Sequence, residues 1–431
     1  MTVLPGNNDT KMQYRRRSNS SILMKAFFVV IAIHLLRLSH YQDNGCVVFS
    51  LGINTTGTNK RALPENIIVG YATHCTEKVV KAVREGVNVV IWSFIAIRVD
   101  DDEEYTDTTI QNSDLKAECV SSFDRDCAEQ MINQLDSEGH NDTVHLVSFG
   151  GWNGPHLPDK LDVYDMYRTF QNEYGGIFHG IDWDLEGNNR LDSPTNLFTI
   201  DCLENMGRFS QTASEDGYIV SMAPPQSYLD IQTNEFSRYV NLTDTSKERD
   251  GWHDEFHYFG RNVFSYLLSK YEKYIDFVSI QFYESYSRAG LDIYHKQIKP
   301  EEYLISYVKD LVVNRNESFL VEFEQDPLLN YPSQQVSFPL SKLVFGLANG
   351  WAVSSNGDKV VYIDPAQIET AYKSLLDINL APRGFMFWVI DEEGKNGVNF
   401  ASSLNDIVKI RRIKKHQYDD GDFSSGEKIV S

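Results

Sequence analysis

The chain has 431 residues and 42% hydrophobic content, enough apolar material for a large buried core, which excludes a mostly disordered chain. Forty basic against sixty-one acidic side chains give a net charge of -21, which disfavours nucleic acid and anionic membrane surfaces as partners of the folded part. Aromatic residues make up 12% of the chain, a content that fills a core and also suits stacking on sugar rings.

The first residues read as a leader. Arg15-Arg16-Arg17 precede an apolar run from Ala26 to Leu36, and Arg37 and His40 follow it. Such a run falls short of the roughly twenty residues that span a bilayer, so residues 1–45 are expected to be a cleaved signal peptide. A signal anchor that tethers the protein to a membrane by its N-terminus is the alternative. Residues 46–65 form a linker with the turn-rich Asn54-Thr55-Thr56-Gly57. Glycosylation acceptor patterns at Asn54, Asn141, Asn241 and Asn316 agree with a secreted, extracellular protein. Five cysteines show no metal-type spacing, and neither a metal nor a cofactor is expected. An oxidising compartment permits a local bridge between Cys119 and Cys127, although connectivity stays open and the odd count leaves at least one thiol over.

From Asn66 the chain alternates. Ile67-Ile68-Val69 reads as a strand, Thr76 to Glu85 as a helix, and Val87 to Ile97 as a near-continuous apolar run of the kind buried on both faces of a parallel sheet. Residues 100 to 118 are an acidic loop, Asp124 to Gly139 a helix, and Thr143 to Ser148 a strand ending in Phe149-Gly150-Gly151-Trp152. The helix from Asp162 to Tyr174 closes at Gly175-Gly176, and a fourth strand follows. Leu197 to Gly217 is helical, Tyr218 to Ala223 is a strand, and an aromatic-rich excursion runs from Gln226 to about Lys270. Strands at Tyr274 to Tyr283, Leu343 to Leu347 and Gly384 to Ile390 alternate with helices at Glu301 to Val313 and Pro365 to Leu376. Eight strands alternating with helices predict an α/β fold, a (β/α)8 TIM barrel over 66–408 as one catalytic domain. The rival doubly wound sheet lacks a glycine-rich loop after its first strand. A short helix follows Asn399, and 409–431 reads as a charged, flexible tail.

The fourth strand carries the chemistry. In Phe178-His179-Gly180-Ile181-Asp182-Trp183-Asp184-Leu185-Glu186-Gly187, three carboxylates recur at two-residue spacing. On a strand they share one face, about 6 to 7 Å apart, while Ile181, Trp183 and Leu185 share the other. With the apolar face against covering helices, the acids project into the interior, and they cannot all ionise.

These residues resemble the family 18 glycoside hydrolases, the chitinase family, in its bacterial and plant type III-like branch. The family's fourth-strand signature is Asp-x-x-Asp-x-Asp-x-Glu, and His179 to Glu186 matches three of its four acidic positions. Ser148-Phe149-Gly150-Gly151 matches the third-strand motif, Met222-Ala223-Pro224 resembles the fifth and Gln281-Phe282-Tyr283 the sixth. Trp388 matches the eighth-strand tryptophan. The resemblance implies a retaining, substrate-assisted hydrolysis of β-1,4 bonds in chitin or another N-acetylglucosamine-containing oligosaccharide. Glu186 would be the acid and then the base, Asp184 would hold the acetamido N–H, and Asp182 would share a proton with Asp184. Tyr283 would donate to the acetamido oxygen and Trp388 would floor the sugar. Gln281, Met222, Gln226, Trp152 and Trp351 are the further substrate-binding candidates, and Ser148, Gly150, Gly151 and His179 the supporting ones. His179 replaces the family's first Asp, and strict alternation turns it away from the Asp182 face. Too few residues separate the seventh and eighth strands for the α+β insertion that walls the groove in some relatives, so an open cleft and endo cleavage by a monomer are expected. An endo-β-N-acetylglucosaminidase acting on N-glycans would use the same residues, and a chitin-binding lectin would be expected to lack Glu186.

Overall fold

The computed structural model describes residues 61–99, 117–159, 161–188, 193–240, 262–284, 287–353 and 360–421. The expected leader, most of the linker and the acceptor sites at Asn54 and Asn241 lie outside them. Among the described residues, no helix is long and apolar enough to cross a membrane.

In chain order the elements are β1 (Ile67–Ala72), α1 (Glu77–Glu85), β2 (Val89–Val99), β3 (Ala117–Ser121), α2 (Arg125–Ser137), β4 (Val144–Gly151), α3 (Val163–Glu173), β5 (Gly180–Leu185), α4 (Ile200–Glu215) and β6 (Ile219–Met222). They continue with α5 (Ser265–Tyr271), β7 (Phe277–Gln281), α6 (Pro300–Lys309), β8 (Ser318–Val321), β9 (Gln334–Ser337), β10 (Leu343–Ala348), α7 (Pro365–Asp377), β11 (Gly384–Trp388) and α8 (Phe400–Gly421). Strands β1, β2, β4, β5, β6, β7, β10 and β11 pair in parallel, and β1 pairs with both β2 and β11, which closes the barrel. The expected (β/α)8 barrel is therefore the fold.

Alternation along the strands explains the two apolar layers. Ile67, Val69, Val89, Ile91, Leu146, Ile219, Phe277 and Val344 pack together inside the barrel. Their neighbours Ile68, Val90, Trp92, Val147, Ile181, Trp183, Val220 and Phe345 pack outward against the helices. Both strand faces are thus apolar, as the near-continuous runs required. Asp124, Asp162, Thr199 and Asp364 each accept a backbone N–H at a helix start, worth about 1 kcal/mol apiece.

Several expectations need correction. β3 adds antiparallel to the outer half of β2, and β8 and β9 form a separate hairpin between α6 and β10. Among the described residues between β10 and β11 there is α7 and no added sheet, as expected. The last helix runs on to Gly421, past the expected start of the tail, where Lys and Arg are good helix formers. Cys127 bonds to Cys75, not to Cys119. Cys119 sits on β3 opposite Ile97, while Cys127 lies in the first turn of α2, facing the loop that follows β1.

Candidate active site

Strand β5 separates its side chains as the spacing demanded. Trp183 packs outward on Phe149, 5.1 Å between ring centroids, and its indole N–H donates to Ser210 Oγ on α4 at 2.9 Å. Asp182, Asp184 and Glu186 turn the other way and are 0%, 4% and 6% exposed, so none is a solvated surface acid. All lie toward the C-terminal end of the barrel, where barrel enzymes place their chemistry.

Asp182 is the deepest. Its Oδ2 accepts from Tyr71 Oη at 2.6 Å and from Ser148 Oγ at 2.8 Å, and its Oδ1 accepts from Ser221 Oγ at 2.6 Å. Burial raises its pKa, and the three hydroxyls offset part of that rise by favouring the ionised form. Above Asp182, the carboxyls of Asp184 and Glu186 come together within reach of one amide nitrogen, Gln281 Nε2. Burial pushes both of their pKa values up, and the Glu186 and Asp182 charges push Asp184 further. The pair therefore holds a proton to higher pH than solvated carboxyls do.

Gln281, at the end of β7, fixes that pair. Its Nε2 lies 2.8 Å from Asp184 Oδ1, 3.0 Å from Glu186 Oε1 and 2.7 Å from the Ala223 carbonyl, and donates among the three. Its Oε1 is buried without a hydrogen-bond partner among the described residues. Tyr283 follows two residues later; burial first, then Asp184, Glu284 and Glu186, hold its phenol well above the usual tyrosine range, so it remains a donor.

The aromatic wall comes from the opposite side of the barrel. Trp388 packs 5.5 Å from Tyr71 and stacks at 5.9 Å on Phe94, and Trp351 Nε1 donates to its carbonyl oxygen at 2.8 Å. Trp152, just past β4, is 44% exposed at the rim. Gly150 and Gly151 are needed where they stand, with φ of +113° and +80°. A Cβ on Gly150 would meet the Asp184 carbonyl oxygen at 2.4 Å, and one on Gly151 the Phe94 ring at 2.4 Å.

Three candidates are not brought to this site. Met222 is fully buried in the outer layer, because Ser221 and Ala223 take the inward positions of β6. Gln226 is spent as a strut, its Nε2 donating to Tyr303 Oη at 2.5 Å and its Oε1 accepting from Ala289 N at 3.0 Å. His179 lies before β5 begins, at the far end of the barrel, where its Nδ1 accepts from His145 N at 2.9 Å.

Sequence reasoning missed Tyr71 and Ser221, which alternation along β1 and β6 could have pointed inward. It also missed Glu284, whose carboxyl is pushed up to about 8 by burial and by Glu186. Its position directly after Gln281-Phe282-Tyr283 was the available signal.

No family model and no curated protein matches the chain. Among solved structures, a family GH18 chitinase from Chromobacterium violaceum shares the fold at 14% identity and a TM-score of 0.51, over 80% of this chain and 84% of that one. A fungal endo-β-N-acetylglucosaminidase from glycosyl hydrolase family 18 aligns at 14% identity and a TM-score of 0.48, over 81% of this chain and 98% of that one.

Proposed function

We propose that this chain is a family 18 glycoside hydrolase that cleaves β-1,4 bonds at N-acetylglucosamine, as an endo-acting chitinase working by substrate-assisted catalysis. The observation that carries the reading is the Asp184–Glu186 pair gathered on one amide nitrogen, Gln281 Nε2, at 2.8 and 3.0 Å. A two-carboxylate retaining glycosidase keeps its acid and its nucleophile about 5 Å apart on either side of the sugar. Asp184 and Glu186 instead share one strand face and both lie within 3.0 Å of Gln281 Nε2, so Asp184 is not placed across the sugar from Glu186. A nucleophile supplied by the substrate, the carbonyl oxygen of a 2-acetamido group, fits this arrangement.

In this mechanism Glu186 protonates the glycosidic oxygen. Asp184 then accepts the acetamido N–H and stabilises the positive charge of the oxazolinium-like intermediate, while Tyr283 donates to the acetamido oxygen. Trp388 supplies the apolar floor, with Trp351 and Trp152 extending the aromatic surface. Glu186 finally removes a proton from the water that opens the intermediate. The three hydroxyls on Asp182 favour its negative charge, and that charge raises the Asp184 pKa.

The sequence motifs and the shared fold support the same assignment. The Cys75–Cys127 disulfide supports a secretory-pathway location, since such bonds persist in oxidising compartments. Asn141 and Asn316 are exposed, as glycan acceptors must be. Glu186→Gln is expected to abolish turnover of a chitooligosaccharide and to leave its binding largely intact. Retained turnover removes Glu186 from the role, and faster release from a high-mannose glycoprotein than from chitin oligomers redirects the assignment to N-glycans.

A further inference from the structure

Glu186 stands one residue beyond the last ladder pair of β5, Gly151 with Leu185, so pairing between strands does not hold the peptide that follows it. Two side chains do. His156, from the loop between β4 and α3, has Nε2 3.1 Å from the Glu186 carbonyl oxygen. A carbonyl only accepts, so this nitrogen carries the hydrogen, and burial, which lowers the ring's pKa to about 4, favours the neutral ring. On the other edge of the same peptide bond, Gly187 N donates to Tyr228 Oη at 3.0 Å, and Tyr228 is fully buried.

The two arms are braced against each other. Phe198 lies 4.2 Å from the His156 ring and meets Tyr228 edge-on at 6.0 Å. Phe198 is itself fixed from both sides by Arg238, whose carbonyl accepts from Phe198 N and whose Nη1 donates to Phe198 O, each at 2.9 Å. Arg238 Nε then donates to Asp326 at 2.6 Å. With the strand fixing φ of Glu186 and the clamp fixing its ψ, the direction of its Cα–Cβ bond is set.

We propose that His156 and Tyr228 are positioning residues that grip the Glu186–Gly187 peptide plane and so hold the Glu186 carboxyl against Asp184 and Gln281, aimed at the bond to be cleaved. The proposal rests on Glu186 being the general acid. Its consequence is kinetic: misplacing a reacting group by an ångström costs on the order of 100-fold in rate while substrate contacts survive.

The test is a set of small variants assayed on a chitooligosaccharide. Tyr228→Phe removes one oxygen, His156→Phe removes the donor, and His156→Gln returns an N–H. Tyr228→Phe and His156→Phe are expected to lower kcat by roughly 10- to 100-fold with KM within about twofold of wild type, and His156→Gln to recover most of the loss. Because both residues act on one peptide, the double variant should fall little below the worse single one. The alkaline limb of the pH profile should also move to lower pH, since a carboxyl that leaves its buried place regains an ordinary pKa. Should His156→Phe fail to fold, Tyr228→Phe and His156→Gln decide the matter.

Infrared titration of the Glu186 carboxyl, identified by its loss in Glu186→Gln, reads the same downward shift without turnover. The proposal is overturned by losses no larger than the loss of folded protein, by a rise in KM alone, or by an unmoved Glu186 titration. An inactive Glu186→Gln beside wild-type behaviour in Tyr228→Phe and His156→Phe rejects the clamp and keeps the general acid. An active Glu186→Gln rejects the general acid itself.

Discussion

The Tyr71 hydroxyl donates to Asp182 Oδ2 at 2.6 Å, and the same ring packs 5.5 Å from Trp388, so one residue joins the aromatic wall to the deepest carboxylate. That hydrogen bond favours the ionised form of Asp182, whose charge in turn raises the Asp184 pKa.

Tyr71→Phe should therefore raise the Asp182 pKa. Removing a hydrogen bond to the charged form favours the neutral one. The acid limb of kcat/KM should move to higher pH, with a fall of roughly tenfold at the former acidic edge. An acid limb that stays in place would remove Tyr71 from the proton inventory.

Glu284 bears on the other limb. Its carboxyl is pushed up to about 8 by burial and by Glu186, so it adds one more ionisation to the group that must keep a proton. Glu284→Gln leaves a neutral amide at all pH values, and the last proton of the remaining set then departs at lower pH. The alkaline limb of kcat/KM should accordingly move down, while activity below pH 7 changes little. The measurement is a pH–rate profile of the variant beside wild type, and coincident alkaline limbs speak against coupling between the two glutamates.

The barrel was legible because buried parallel strands need apolar residues on both faces, and the runs from Val87 to Ile97 and from Thr143 to Ser148 display them. The acids were legible because alternation turns a two-residue spacing into one face. What could not be read was register between distant strands. The pairing of Asp182 with Ser221 decides that Ser221 faces the acids and Met222 the helices, and no local pattern states it. Gln226 failed for the same reason, its partner Tyr303 being supplied by α6. The weight of Glu284 exists only because β7 brings it near Glu186. Strands β8 and β9 are four residues each, too short for periodicity to separate them from a loop.

The disulfide gives a stability prediction. Cys75 and Cys127 are 52 residues apart, and closing a loop of that length removes roughly 4 kcal/mol of unfolded-chain entropy. Cys127→Ser should lower the stability read from the denaturant midpoint by an amount of that order. Burial pushes the Cys119 thiol up to about 12, so it is a poor attacking thiolate in the folded protein. Reoxidation after mild reduction should restore Cys75–Cys127, and peptide mapping that finds Cys119 bonded to Cys127 would contradict this pairing.

His179 supplies a prediction separate from catalysis. Its Nδ1 accepts from the His145 backbone N–H at 2.9 Å, while Arg61 Nη1 lies 2.5 Å from its Nε2. A neutral imidazole has one N–H, so with Nδ1 accepting, the hydrogen sits on Nε2 and faces a group that can only donate. Burial, and then Arg61, lower the ring pKa to about 4 from 6.5. The sign follows: the unfolded chain binds this proton below about pH 6.5 and the folded one does not, so stability is full above that pH and is lost as pH falls toward 4. An Asp at this position accepts from the same backbone N–H and gives Arg61 an opposite charge. His179→Asp should thus stabilise the fold at pH 5 by about 1 kcal/mol and flatten the loss of stability between pH 6.5 and 4. Because His179 sits at the end of the barrel away from Glu186, kcat/KM at neutral pH should stay within about twofold of wild type. Denaturant unfolding at several pH values, paired with one activity assay, checks both halves; a large loss of activity in His179→Asp would place this residue in the machinery after all.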